Sequence, residues 1–239
     1  LQIGGEVIKH RAYAQSIQAS IAGKATHPVG GIPGGMSKPI TEEQRKDFEA
    51  KAKSCVEFSK FSLKLFNDVV LANKDYLNII TGNIYTMKSY YMGLVDSKNK
   101  VNFYDGDVRV VDPDGKEVVK FKPSQYLEYV AEHTEPWSYL KFPFLKKIGW
   151  KGFVDGNDSG VFRVAPLARL NAADGMATPL AQEAYEKMYS TLGGKPVHHT
   201  LAMHWARLVE LLYAAERLLE LSKDPEITSP NIRTIPTAT

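Results

Sequence analysis

Residues 22–40, AGKATHPVGGIPGGMSKPI, constrain the fold of this chain more than any other stretch. Gly23, Gly30, Gly31, Gly34 and Gly35 share it with Pro28, Pro33 and Pro39. Glycine reaches backbone conformations closed to other residues, and proline fixes its own φ, so no regular helix passes through. The backbone must turn here and come close to a neighbour. Both flanks read as helix. Ile3, Val7, Ala14, Ile17 and Ile21 recur at helical spacing and predict a helix over 1–22, stopped by Gly23. Beyond the 23–40 loop, Thr41-Glu42-Glu43-Gln44 is a capping box. Phe48, Ala52, Cys55, Leu63, Phe66 and Val70 then give one apolar face to a long helix over 41–72. A shorter helix is expected around Asp75–Ile80.

The period changes in the middle. Residues 84–122 are rich in β-branched and aromatic types, with turn signals at Asp105-Gly106 and Asp112-Pro113-Asp114-Gly115, and read as a β-hairpin region. Residues 123–177 read as mixed strand and loop, with Ser124 starting a short helix over SQYLEYVAEHT. Two helices are expected over 178–224. The first has Pro179 at its first position and Leu180, Ala184, Met188 and Leu192 on one face. The second runs from about Val197 to Ser222 with Leu201, Trp205, Leu208, Leu212, Ala215 and Leu219 inward, and Asp224-Pro225 ends it. A tail without periodicity fills 225–239. The fold class is α+β, mainly long packed helices in one domain over 1–239.

Composition narrows the function. A net charge of +3 is too small to argue for nucleic acid, and no apolar run is long enough to span a bilayer. The single cysteine, Cys55, excludes an internal disulfide and fits a reducing compartment. GGIPGG is not a dinucleotide fingerprint, and no Walker loop or HExxH is present. His198, His199 and His204 are badly spaced for a metal, because 199 and 204 point about 140° apart on a helix. They read as packing or capping residues.

Three blocks carry a resemblance to a known family. HRAYAQSIQASI with the loop that follows resembles the glycine–histidine signature midway along the large subunit of nickel–iron hydrogenases. FRVAPLARLNAADGMATPLAQ, residues 162–182, resembles that family's Pro-Leu-Ala-Arg-x-Asn segment, with Ala165 where relatives commonly have glycine. HTEPWSYLKFPFLKK, residues 133–147, resembles the soluble cytoplasmic branch, whose enzymes reduce NAD(P) or a deazaflavin. The resemblance implies a helical bundle with a peripheral antiparallel β region, the central part of the large-subunit fold. It implies cytoplasmic hydrogen oxidation at a nickel–iron centre, with electrons passing to a small subunit that carries iron–sulfur clusters and to diaphorase-type subunits.

One departure shapes that expectation. The family holds its metals with two CxxC motifs, and this chain has one thiol. It opens at LQIGGEV without methionine and stops at PNIRTIPTAT. The expectation is a central fragment lacking both metal-binding ends, without cofactor and inactive alone, the nickel–iron centre belonging to the intact subunit. Faces left uncovered on the first helix and the loop would favour self-association. The alternative is a cysteine-less relative such as the quinone-pocket subunit of respiratory complex I, acting as a binding scaffold.

Site residues follow from the resemblance. His27 is expected at the junction with the partner subunit, its ring hydrogen-bonding toward a cluster ligand or the partner backbone, while Gly30 and Gly31 let two subunit backbones approach. His10 is a further interface candidate. Arg169 and Asn171 form a polar pair in an apolar stretch and read as a structural brace, since a buried guanidinium must be paired.

Overall fold

The computed structural model describes residues 2–235 and 237. The ends of the expected first helix and tail, at residues 1, 236, 238 and 239, lie outside the described residues. The chain divides into two compact units. The first combines residues up to Ser62 with those from Ala214 onward, and the second is Leu63–Tyr213.

In the first unit α1 spans Gln2–Ala22 and ends at Gly23, which takes φ +85°. Within the loop a small hairpin forms from β1, Gly31–Ile32, and β2, Gly35–Met36. The long helix α2, Glu42–Phe66, starts on the expected capping box. The Thr41 amide donates to Gln44 Oε1 at 2.9 Å, and the Gln44 amide donates back to Thr41 Oγ1 at 3.2 Å. Its buried residues are Phe48, Ala52, Val56 and Ser59, so the inward stripe passes beside Cys55 rather than through it.

In the second unit the same run widens into a π turn at Asn67–Leu71, where the Ala72 amide reaches back to the Asn67 carbonyl at 2.9 Å. Helix α3, Lys74–Thr81, then starts on Asn73, whose Oδ1 accepts from the Asp75 amide at 2.9 Å. A four-stranded sheet follows, built from β3 Tyr90–Val95, β4 Asp107–Val111, β5 Glu117–Phe121 and β8 Phe162–Arg163 in the order β5-β4-β3-β8. The expected hairpin joins β4 to β5: Asp112 Oδ1 accepts from the Asp114 and Lys116 amides, and Gly115 takes φ +82°.

Two expectations about this region are corrected. The sheet is not wholly antiparallel, because β8 runs parallel to β3. Nor is it peripheral to its unit: Tyr91, Val95 and Val110 are fully buried, and helix α5, Ala165–Ala172, lies directly on β3. That approach requires Gly93, where a Cβ would stand 2.9 Å from Arg169 Cα.

Two further assignments change. The short helix at Ser124 ends after one turn, α4 at Tyr126–Tyr129, and the VAEHT segment is instead β6, Val130–Thr134. It pairs antiparallel with β7, Lys141–Leu145, and Tyr129 stacks on Phe121 at 4.3 Å. After α6, Pro179–Thr191, the last helix α7 starts at Met203 rather than Val197 and runs to Ser222. The backbone just before it is taken up elsewhere: His199 bridges Thr86, and the His198 carbonyl accepts from the Met87 amide at 3.2 Å. No helix among the described residues is long and apolar enough to cross a membrane.

Candidate functional site

The six residues singled out by sequence fall into both units, so the structure does not assemble them as one cluster. His27, Gly30, Gly31 and His10 belong to the first unit, Arg169 and Asn171 to the second. In the first unit the glycines serve mostly the chain itself. The Met36 amide donates to the Ile232 carbonyl and the Thr234 amide to the Gly34 carbonyl, both at 2.9 Å, so the tail extends the loop hairpin. The tail is therefore not structureless. Gly35, at φ +155°, makes this approach feasible, since a Cβ there would stand 2.0 Å from the Ile232 carbonyl oxygen.

Gly30 is buried, and its missing Cβ would meet Ala22 Cα at 2.9 Å, so its role is closure of the loop on α1. Gly31 differs: it is exposed, and a Cβ would meet nothing within 4 Å. His27 is exposed at φ +52°, an uncommon conformation for a non-glycine residue, and its ring makes no hydrogen bond among the described residues. His10 is the opposite case. Its ring stacks on Phe58 at 4.3 Å, Nδ1 donates to the Glu6 carbonyl at 2.7 Å, and Nε2 accepts from Ser54 Oγ at 3.0 Å. With 8% exposure it packs between α1 and α2.

In the second unit Arg169 and Asn171 part company. Asn171 is fully buried: Nδ2 donates to the Val197 carbonyl at 2.8 Å, and Oδ1 accepts from the Val197 amide and from the Tyr189 hydroxyl. It anchors the segment before α7. Arg169 instead reaches Glu210 on α7, with Nε to Oε1 at 2.6 Å and Nη2 to Oε2 at 2.7 Å. The guanidinium also lies 5.4 Å from the Phe103 ring centroid. Sequence reasoning placed Arg169 as a brace but did not find its partner Glu210, which is 6% exposed.

This ion pair forms one wall of a cavity of about 820 Å³ that is open to the surface. Met92 and Leu94 of β3, Phe103, Leu208 and Leu211 give it an apolar lining, with Arg207 as a second cation. Ala165 stands at its edge at φ +73°, a left-handed conformation that costs a residue with a Cβ about 1–2 kcal/mol. Glycine fits that position better, which gives a physical meaning to its place in the resembled motif. Chemically the cavity suits an apolar group beside a fixed, already neutralised charge pair.

The histidines near α7 diverge. Tyr91, whose burial pushes its hydroxyl up to about 12, donates to His198 Nδ1 at 2.6 Å. Burial and then repulsion from Lys88 and Arg163 hold His198 below the usual histidine value, so it accepts that bond as a neutral ring. The His199 ring turns instead to Thr86 Oγ1 at 3.3 Å, and His204 is exposed.

The donor set does not fit a nickel–iron centre or an iron–sulfur cluster. No group of three or more His, Cys, Asp or Glu side chains among the described residues is arranged to hold a metal ion. Cys55 is alone on α2, and burial pushes its thiol up, away from the thiolate that a metal needs.

No protein-family profile matches the chain. Individual proteins do. It is 50% identical over 233 residues to the F420-non-reducing hydrogenase iron-sulfur subunit of Archaeoglobus profundus, covering 98% of this chain and 48% of that one. It is 40% identical to the vhu F420-non-reducing hydrogenase subunit of Methanocaldococcus jannaschii, over 97% of this chain and 52% of the relative. Against the NAD-reducing hydrogenase HoxS subunit beta of Cupriavidus necator it is 30% identical, over 92% and 44%. Among solved structures, an NAD+-reducing [NiFe]-hydrogenase in the H2-reduced state superposes with a TM-score of 0.87 at 26% identity, over 99% of this chain and 50% of that one. A [NiFeSe] hydrogenase from Desulfovibrio vulgaris Hildenborough gives 0.66 at 18% identity and shares the fold alone.

These relatives correct the assignment to the central part of a nickel–iron large subunit: the Archaeoglobus profundus protein is named for an iron–sulfur subunit, and the Cupriavidus necator one for a beta subunit. The chain spans about half the length of the curated relatives it matches. In sequence and in fold the chain resembles about half of a hydrogenase subunit.

Proposed function

We propose that this chain works as one component of a cytoplasmic hydrogenase, an oxidoreductase complex that oxidises hydrogen reversibly and passes the electrons to a soluble acceptor through partner polypeptides. The observation that carries this reading is the 50% identity extending over 98% of the chain. On this reading the redox metals of such a complex are held outside the described residues and the chain alone binds neither nickel nor iron, which the lone thiol supports. Partners carry the iron–sulfur clusters, with diaphorase-type subunits where the acceptor is NAD. Contact with a partner falls at His27 and Gly31, because both are exposed, the ring has no bond of its own among the described residues, and the glycine faces open space.

Purifying the tagged protein from its native cells, and assaying hydrogen-dependent reduction of viologen and NAD with and without its gene, tests this reading. Cluster-bearing proteins should co-purify, and deletion should abolish both reductions. Hydrogen uptake that persists at wild-type rate in the deletion strain would sink the proposal. His27→Ala should lower the yield of co-purified partner about tenfold, as expected for one lost hydrogen bond to a charged group. It should leave the melting temperature of the chain alone unchanged; an equal fall in melting temperature would make His27 a structural residue instead.

A further inference from the structure

One cluster in the second unit carries more positive charge than its carboxylates balance. Arg109 on β4, its side chain 10% exposed, donates Nε to Glu117 at 2.7 Å and Nη1 to Asp174 and the Ala172 carbonyl at 2.8 and 3.0 Å. Three lysines converge on the same groups. Lys120 Nζ lies 3.8 Å from the Glu117 carboxylate and donates to Asn99 Oδ1, while Asn99 Nδ2 donates to Asp174 at 3.0 Å. Lys100 donates to the Asp174 carbonyl at 3.2 Å. Lys195 donates to the Ala173 carbonyl, its Nζ 4.0 Å from the Asp174 carboxylate. Arg109, Lys120 and Lys195 thus share two carboxylates, with Lys100 beside them on the Asp174 backbone.

Burial lowers the Lys195 ammonium to about 8, with Asp174 only partly offsetting burial and repulsion from Arg109 and Lys100. Each ammonium has three N–H donors, and the contacts above engage only one or two per lysine. The backbone lets Lys100 come in close: Gly175 takes φ +147°, and a Cβ there would stand 2.5 Å from Lys100 Nζ. A small anion meeting the spare donors would neutralise the excess and form charge-assisted hydrogen bonds.

We propose that Lys100, Lys120 and Lys195, arrayed around the Arg109–Asp174 pair, bind a small oxyanion, a phosphate or a carboxylate. This site is independent of the hydrogenase reading and does not rest on it.

Calorimetric titration of the chain with inorganic phosphate, and separately with N-acetylglutamate, tests the site against sodium chloride at equal ionic strength, since unspecific screening depends on ionic strength alone. The expected result is saturable binding of one anion per chain, absent with chloride. Lys195→Met and Lys120→Met should each weaken it about fivefold, a charge-assisted contact discounted for partial exposure. Lys151→Met, an exposed lysine elsewhere, should leave it unchanged. Tighter binding of phosphate identifies a phosphate ligand, and tighter binding of N-acetylglutamate a carboxylate one; either supports the site. Absence of saturable binding with both anions overturns it. So does binding that survives unweakened in either lysine variant whose circular dichroism matches the parent chain.

Discussion

Arg169 lays Nε and Nη2 on the two carboxylate oxygens of Glu210, at 2.6 and 2.7 Å, and so ties α5 to α7 within the second unit. The carboxylate is the buried partner, while the arginine side chain keeps 30% of its surface exposed. Removing the arginine therefore strands a buried charge. Arg169→Met should cost about 3 kcal/mol, the lower end for breaking a buried pair because the guanidinium is partly solvated. Arg169→Met combined with Glu210→Leu should recover most of that loss, because nothing charged is then left behind. Urea denaturation of both variants checks this; a double variant no more stable than the single one would show that the pair contributes through packing.

Ala165 offers a gain. Its φ of +73° strains a residue with a Cβ, whereas glycine accepts that conformation freely at some cost in unfolded-chain entropy. Ala165→Gly should stabilise the chain by about 0.5–1 kcal/mol, and Ala165→Val should destabilise it. Thermal denaturation that shows Ala165→Gly lowering the melting temperature would mean the left-handed conformation is not the dominant effect.

Gly35 and Gly31 should respond differently to the same change. A methyl at Gly35 collides with the Ile232 carbonyl, so Gly35→Ala should detach the tail and speed amide hydrogen exchange at Met36 and Thr234. Gly31→Ala meets open space and should leave exchange and stability of the chain as they are. Equal effects of the two variants would contradict the close approach at Gly35.

Much of the local structure is legible in the sequence. Thr41 and Gln44 announce the start of α2, and Asp112 with Gly115 announce the β4–β5 turn, because each signal acts within a few residues. VAEHT and APLARLN defy local reading for the opposite reason. The first is a strand because β7 lies opposite, and the second a helix packed on β3, partners that no local window contains. The candidate site is harder still. Arg169 stands out as a polar residue in an apolar run, but its carboxylate lies 41 positions away. Gly30 and Gly35 of the loop do mark points of close approach, yet the neighbour of Gly35 is this chain's own tail.

The pH dependence of stability should carry a signature of Lys195. Its folded value, about 8, lies below the ordinary lysine value of 10.5, so between those values the unfolded chain binds more protons. Stability from this residue therefore rises as pH climbs from about 8 towards 10, and is flat below. The gain should be about 2 kcal/mol once partial solvent screening is allowed for. Tyr91, Tyr185 and Tyr189, all raised by burial, act in the opposite sense above pH 10. The measurement is the difference between the parent chain and Lys195→Met across pH 7–10. Parallel curves would mean the ammonium is no harder to protonate in the folded chain.

The first unit draws on both ends of the described chain, while the second is one continuous run. During synthesis the order of completion is therefore reversed relative to the order of translation. A nascent chain halted before Ala214 holds every residue of the later-starting unit, while the unit begun first still lacks the strand that closes on Gly34 and Met36. Until that strand emerges, the hairpin edge stays open, and it is during this interval that another polypeptide has its best access to it.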